Sequence, residues 1–293
     1  MKLATVIVNG QPEGALLSED GSARLIGKSL FDLINDGPSA LAGLGDGASL
    51  TRVADGSYTL AAPIPRPAKN VFCVGRNYME HIAEGERAQK TKVGVTEVPV
   101  YFTKPPTAIT GPGSDVPLFP SVSTKVDYEV ELAVIIGKAG RNISTEQAMS
   151  HIFGYTILND VTARDVQRRH GGQYFKGKSL DGSCPMGPWV ITADEIENPH
   201  NLGIRCSVNG EMRQNGNTRD MIFDIPTLIA SLSEGLTLEP GDIIATGTPS
   251  GVGYAMDPPH YLTDGDTVVC EVDGIGTLSN TIRNAEAKTK QVA

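Results

Sequence analysis

The sequence predicts a mixed α/β, β-rich fold with few short helices, preceded by a small N-terminal domain. Three observations carry this. The 293 residues include 33 glycines and 19 prolines, well above the ~12% combined share of an average chain, so turns are frequent. Apolar and β-branched residues fall in short runs bounded by Gly, Pro, Asn or Asp. Few helical patterns separate these runs, so the regular strand–helix alternation of a doubly wound sheet is missing. Neither GxGxxG nor GxxxxGK[ST] occurs, which argues against a dinucleotide or P-loop site.

Taken in order, residues 3–8 read as a first strand, Gly10-Gln11-Pro12 as a turn and residues 13–17 as a second strand. Residues 30–35 read as a short helix ended by Asp36-Gly37-Pro38. Ala62-Pro63-Ile64-Pro65-Arg66-Pro67 is a connector, because each proline fixes φ and removes a donor. A boundary placed there gives a small β-rich N-terminal domain, 1–66, and a catalytic domain, 67–293. In the second part, strands are expected at 71–74, 128–136, 153–159, 189–192, 203–208, 242–246 and 267–272, and helices at 144–151 and 225–233. Asn209-Gly210 after an alternating run reads as a hairpin turn.

Composition excludes several classes. The 40% hydrophobic and 20% charged content fits a globular protein. A net charge of −9 offers no basic surface for a nucleic acid. The longest clean apolar run, Leu132 to Ile136, is far short of the ~20 residues of a membrane span. Lys2 and the short apolar stretch behind it are broken by Asn9-Gly10-Gln11, which reads as a strand and not a signal peptide. Cys73, Cys184, Cys206 and Cys270 form no CxxC pair, so a reducing cytoplasm is expected.

Charge placed where a core should be is the strongest functional signal. In Asp127-Tyr128-Glu129-Val130-Glu131-Leu132-Ala133-Val134-Ile135-Ile136, strand periodicity puts Glu129 and Glu131 on one face. Two anions beside a buried strand are costly unless a cation joins them. The alternative is a solvated strand end with two surface glutamates. The run ending at Asn159 is followed by Asp160, and Thr162 with Asp165 has the spacing of a capping box, so Asp160 precedes a helix. Arg164 and Gln167 then share a helix face, while an ordinary surface pair between Arg164 and Asp165 is the competing reading. Glu129, Glu131 and Asp160 are three hard oxygen donors, a set that suits Mg²⁺ or Mn²⁺ better than zinc.

His81 and Glu84 are one helical turn apart, close enough for the carboxylate to orient the imidazole and make it a water-activating base. A surface helix with an incidental His and Glu reads equally well from spacing alone. The polar stretch from Glu84 to Pro99 is long enough for a lid. Gly171-Gly172-Gln173-Tyr174-Phe175-Lys176-Gly177-Lys178-Ser179 is a glycine-rich loop with two lysines. Gly247-Thr248-Pro249-Ser250-Gly251-Val252-Gly253 offers N–H groups and hydroxyls to an anion. Either segment also reads as a tight turn.

Together these segments resemble the fumarylacetoacetate hydrolase family. The resemblance rests on Cys73-Val74-Gly75-x-Asn77-Tyr78-x-x-His81, on Asp127-Tyr128-Glu129-x-Glu131-Leu132-Ala133 and on Asn159-Asp160-Val161-Thr162-Ala163-Arg164-Asp165-x-Gln167. Gly177-Lys178-Ser179, Cys184-Pro185-Met186-Gly187-Pro188 and the run from Gly241 to Gly253 extend it, so that it covers about residues 68–283. It implies a β-roll of mixed sheets and a homodimer. It assigns the metal ligands to Glu129, Glu131 and Asp160, with Mg²⁺ or Mn²⁺ as cofactor. It gives catalytic roles to Arg164, Gln167 and Lys178, and a His–Glu dyad on a closing helix to His81 and Glu84. Arg76, Tyr78, Tyr174 and Thr248 are the substrate-binding candidates. The extra aspartate ligand that the largest hydrolases carry from an added N-terminal domain has no counterpart here.

The expected activity is metal-dependent cleavage of a C–C bond in a 2-oxo or 2,4-dioxo acid, as in acylpyruvases and oxaloacetate decarboxylases. The rival enzyme readings are an isomerase or decarboxylase of aromatic degradation and a ureidoglycolate lyase. A non-enzymatic binding protein on the same fold is the rival of another class. The partner is a small 2-oxo acid, without nucleic acid or membrane.

Overall fold

The apolar run at residues 130–136 forms the middle of the protein. Strand Val130–Ile136 is buried along its whole length. Its side chains alternate between two cores: Val130, Leu132, Val134 and Ile136 enter one, Ala133 and Ile135 the other. Burial on both faces explains why the run is continuous rather than alternating in polarity. The computed structural model describes residues 1–45 and 49–286.

Strand Val130–Ile136 pairs antiparallel with Ile152–Asn159 on one side and Ile243–Ala245 on the other. The sheet continues through Ile243–Ala245 to Val71–Gly75, in parallel, and on to Val100–Lys104. In the other direction it passes from Ile152–Asn159 through Cys184–Thr192 to Lys2–Val8 and Gln11–Leu17. The whole is a 12-stranded mixed sheet. It crosses the proline-rich connector without interruption, because Leu3 pairs with Val190. Leu3, Leu16, Leu30, Leu33 and Ile34 share a core with Val71, Cys73 and Met186.

A second, 5-stranded sheet covers the other core. Its hairpin Gly203–Val208 to Glu211–Asn217 turns at Asn209 and Gly210, with φ of 53° and 81°. Two consecutive positive φ values are what a two-residue turn between twisted strands requires, and Asn-Gly meets them at low cost. The predicted helices at 30–35, 144–151 and 225–233 are present as Leu30–Asp36, as Thr145–Ala148 continued by the 3₁₀ turn Met149–His151, and as Ile225–Ser233. Among the described residues no helix is long and apolar enough to cross a membrane.

Two local expectations are corrected. The strand expected from residue 128 starts at Val130. Its partner ends at Asn159, whose side chain accepts the Glu129 N–H, and the Gln214 side chain accepts the Val130 N–H. The main chain therefore leaves the ladder at Glu129 with its donors satisfied. The capping box at Thr162 and Asp165 does not form. Thr162–Ala163 instead pairs with Val126–Asp127, and the Thr162 hydroxyl donates to the Asp160 carbonyl. Helix Arg164–Arg169 begins without a side-chain cap.

Candidate active site

The sheet sets the carboxylates of the site at the ends of two neighbouring strands. Glu131 lies just inside strand Val130–Ile136, Glu129 just before it, and Asp160 one residue beyond its antiparallel neighbour. The Asp160 N–H donates to the Glu129 carbonyl at 2.8 Å, so one backbone bond couples the two segments. The three carboxylates are buried at 4%, 1% and 0% exposure, and oxygens of all three lie within 4.8 Å of one another. Three buried anions at that separation repel strongly unless positive charge joins them.

The protein supplies part of that charge itself. Lys178 Nζ donates to Glu129 Oε2 and to Asp160 Oδ2, each at 2.6 Å. Lys104, fully buried, donates to Asp160 Oδ1 at 2.8 Å and to the Val161 carbonyl at 3.1 Å. Arg164 spans Glu129 Oε1 at 2.6 Å and Asp127 Oδ2 at 3.0 Å. Burial pushes the Glu129 carboxyl up, but Lys178 and Arg164 outweigh it and hold the group well below the usual carboxylate range. Glu131 moves the other way. Burial, then Asp160 and Glu129, raise it well above that range, against a hydrogen bond from the Gly247 N–H. The site is therefore one positive charge short at Glu131, and the donors are all hard oxygens. That donor set fits a Mg²⁺- or Mn²⁺-sized cation.

A cavity of about 170 Å³ opens above these groups. Glu129, Glu131, Lys178, Arg164, Gln167, His81, Thr248, Arg76 and Tyr174 all line it. The fold thus gathers nearly every candidate residue at one place. His81 and Glu84 stand on helix Met79–Gln89, with His81 Nδ1 2.8 Å from Glu84 Oε1. A carboxylate at Nδ1 selects the tautomer with its proton there and leaves the Nε2 lone pair free. Glu84 Oε2 also accepts the Gly251 N–H at 2.8 Å, which pins the helix to the 247–253 loop. Glu86 folds the following segment back by accepting the N–H groups of Val93 and Gly94.

Several expectations change on inspection of partners. Tyr78 is buried and lies outside the cavity lining; it occupies the N-cap position of helix Met79–Gln89 without a side-chain cap bond, and its hydroxyl has no hydrogen-bond partner among the described residues. The donors of the 247–253 loop, expected to face an anion, serve the protein's own carboxylates. Gly247 donates to Glu131, Gly251 to Glu84, and Gly253 with Tyr254 to Asp127. The Thr248 hydroxyl donates to the Val130 carbonyl and accepts from Gln214. The 171–179 segment is partly helical, at Tyr174–Lys178. It packs closely on helix Arg164–Arg169 because Gly177 has no Cβ; one there would stand 2.7 Å from the Gln167 nitrogen. Arg164 and Asp165 are not a surface pair, since Asp165 accepts from Ser123 while Arg164 turns inward.

Sequence reasoning missed Asp127, Lys104 and Tyr254 as site residues. Asp127 receives three backbone N–H groups, those of Tyr128, Gly253 and Tyr254, and Arg164, so it fixes that guanidinium. Tyr254 stacks on Arg164 with 4.3 Å from guanidinium carbon to ring centre. The acidic spacing Asp127-x-Glu129-x-Glu131 was a signal for the first of these. A lone lysine ending the run Val100–Lys104 was the only signal for the second.

Comparison with known proteins gives the family. Residues 70–283 match the family model described as fumarylacetoacetate (FAA) hydrolase C-terminal. The chain is 52% identical over 223 residues to oxaloacetate tautomerase YisK of Bacillus subtilis, covering 76% of this chain and 72% of that one. It superposes on the fumarylacetoacetate hydrolase of Exiguobacterium antarcticum with a TM-score of 0.84 and 40% identity, over 97% of this chain and 99% of that one. A maleylpyruvate hydrolase from Sphingobium sp. SYK-6, solved with manganese(II) and pyruvate, gives a TM-score of 0.78 at 31% identity over 97% and 99% of the two chains. The chain belongs to the fumarylacetoacetate hydrolase family.

Proposed function

We propose that this protein is a Mg²⁺- or Mn²⁺-dependent enzyme of 2-oxo acids that interconverts or cleaves them through the enolate, with oxaloacetate as the first substrate to test. The observation that carries this is the cluster of Glu129, Glu131 and Asp160 within 4.8 Å, beneath a cavity that His81 also lines. A divalent cation held by these carboxylates supplies the positive charge that stabilises an enolate. Keto–enol interconversion moves one proton between C3 and the 2-oxygen. His81, with Nδ1 held by Glu84, has Nε2 available to take and return that proton. Lys178 and Gln167, both on the cavity wall, present donors to the substrate oxygens. The name of the YisK relative supports oxaloacetate, and loss of CO₂ from oxaloacetate runs through the same enolate.

A second reading, hydrolysis of an acylpyruvate, is favoured by the same His81–Glu84 pair. There His81 draws a proton from a water that attacks the distal carbonyl. Metal-stripped protein, with and without Mn²⁺ or Mg²⁺, separates the readings. Three signals are followed: decay of the oxaloacetate enol absorbance, pyruvate from oxaloacetate, and pyruvate from acetylpyruvate. Cation-dependent enol decay is expected. Absence of all three signals with either cation overturns the proposal, and acetylpyruvate cleavage without enol decay favours the hydrolase.

A further inference from the structure

The cations lining the cavity differ in how they are partnered. Arg164 is paired with Asp127 and Glu129, and Lys178 with Glu129 and Asp160. Arg76 and Arg168 line the same cavity, and no described residue gives either an ion pair or a side-chain hydrogen bond. Glu86, the remaining carboxylate on this wall, is already occupied by two backbone N–H groups. Of the lining residues, Glu131 is buried, Arg76 half-buried and Arg168 exposed. Two guanidiniums without a partner among the described residues therefore line one substrate-sized space in a chain of net charge −9.

The backbone at Arg76 supports a role for its side chain. Its φ is 60°, in the left-handed region that arginine rarely adopts. It sits in the turn between strand Val71–Gly75 and helix Met79–Gln89, where glycine or asparagine would be cheaper. The guanidinium lies 5.8 Å from the Tyr174 ring centre, and that ring packs edge-on against Phe102. The aromatic pair holds the arginine at the wall without neutralising it. A planar fork of donors without a protein acceptor is matched by a carboxylate.

We propose that Arg76, assisted by Arg168, binds the far carboxylate of a dicarboxylic 2-oxo acid, so that the site selects diacids over 2-oxo acids with a neutral tail. This rests on the 2-oxo-acid reading above. The near end of the substrate is held by the carboxylate-rich floor and its cation; the far end meets the arginines. The two ends answer to different residues, so their contributions are separable.

The test measures binding to Mn²⁺-loaded protein by calorimetry, using pyruvate, oxalate and oxaloacetate. Pyruvate and oxaloacetate differ by the far carboxylate alone. R76M keeps an unbranched chain against Tyr174 and removes the charge. It is expected to weaken oxaloacetate by about 30-fold, the worth of a charged hydrogen-bonded pair, and to leave pyruvate and oxalate unchanged. R76K is expected to recover part of the loss, and R168M to cost less than R76M because Arg168 is exposed. Equal weakening of all three anions, or no weakening of oxaloacetate, overturns the subsite. Wild-type protein that binds neither pyruvate nor oxalate overturns the 2-oxo-acid reading itself, and the subsite with it.

Discussion

Lys178 Nζ lies 2.6 Å from both Glu129 Oε2 and Asp160 Oδ2, so one buried ammonium joins carboxylates from two separate segments. Burial opposes its charge, but Asp160 and Glu129 prevail and raise the ammonium above the ordinary lysine range. Removing it leaves two buried anions with less compensation. K178M is expected to lose about 3 kcal/mol of stability in EDTA and to regain much of it in Mn²⁺. Turnover in Mn²⁺ falls by about 100-fold, as for loss of one preorganised charge donor. Thermal melts with and without Mn²⁺ check the first part; an identical loss in both contradicts it.

In the proposed mechanism His81 moves the proton, and it makes no hydrogen bond to the three clustered carboxylates. H81A therefore retains Mn²⁺ affinity while kcat drops by about 100-fold or more, the usual worth of a general base. Unchanged turnover removes His81 from the mechanism. A parallel loss of Mn²⁺ affinity makes it part of the cation site instead.

Gly177 poses a contest between propensity and packing. Alanine in a helix interior gains about 1 kcal/mol over glycine. Here its Cβ would meet backbone atoms, the Gln167 nitrogen at 2.7 Å and the Ala163 oxygen at 2.8 Å. Backbone cannot yield as a flexible side chain does, so overpacking wins. G177A is expected to be less stable by about 1–3 kcal/mol and to bind substrate more weakly, because Gln167 and Lys178 flank the contact. Urea denaturation decides; a gain in stability contradicts the account.

The pH dependence of stability has an identifiable contributor away from the site. Burial pushes the Asp266 carboxyl up, but the Asn209 amide at 2.8 Å and the Thr263 N–H at 2.7 Å hold it below its usual 3.8. A folded value below the unfolded one means the stabilisation is present above 3.8 and is lost as pH falls through the lower folded value. Wild-type protein therefore loses more stability than D266N on going from about pH 5 to about pH 3. Parallel curves from chemical denaturation contradict this.

The strands and the ligand cluster were legible in the sequence for a common reason. An apolar run buried on both faces excludes charge, so Glu131 inside it and Asp160 at the end of its neighbour stand out. Residues whose meaning depends on a distant partner were not legible. Lys104 meets Asp160 only because strand Val100–Lys104 reaches the site through Val71–Gly75 and Ile243–Ala245. Thr162 had the local spacing of a cap, yet pairing with Asp127 claimed it first. The 247–253 loop advertised its donors correctly, but sequence alone did not reveal that Glu131, Glu84 and Asp127 would consume them. Tyr78 sits within a family motif and yet is buried outside the cavity lining, at the position where the motif starts the helix that carries His81.

The central claim is that Glu129, Glu131 and Asp160 together hold one divalent cation. Its most direct test is a Mn²⁺ titration of metal-stripped protein, followed by the paramagnetic resonance of the free ion. Wild-type protein should bind one ion per chain, and E131Q should weaken it by about 100-fold without unfolding. Affinity should rise with pH, since burial and its two carboxylate neighbours favour a proton on Glu131 that the ion must displace. Equal Mn²⁺ affinity in wild type and E131Q, or no binding by either, would contradict the claim.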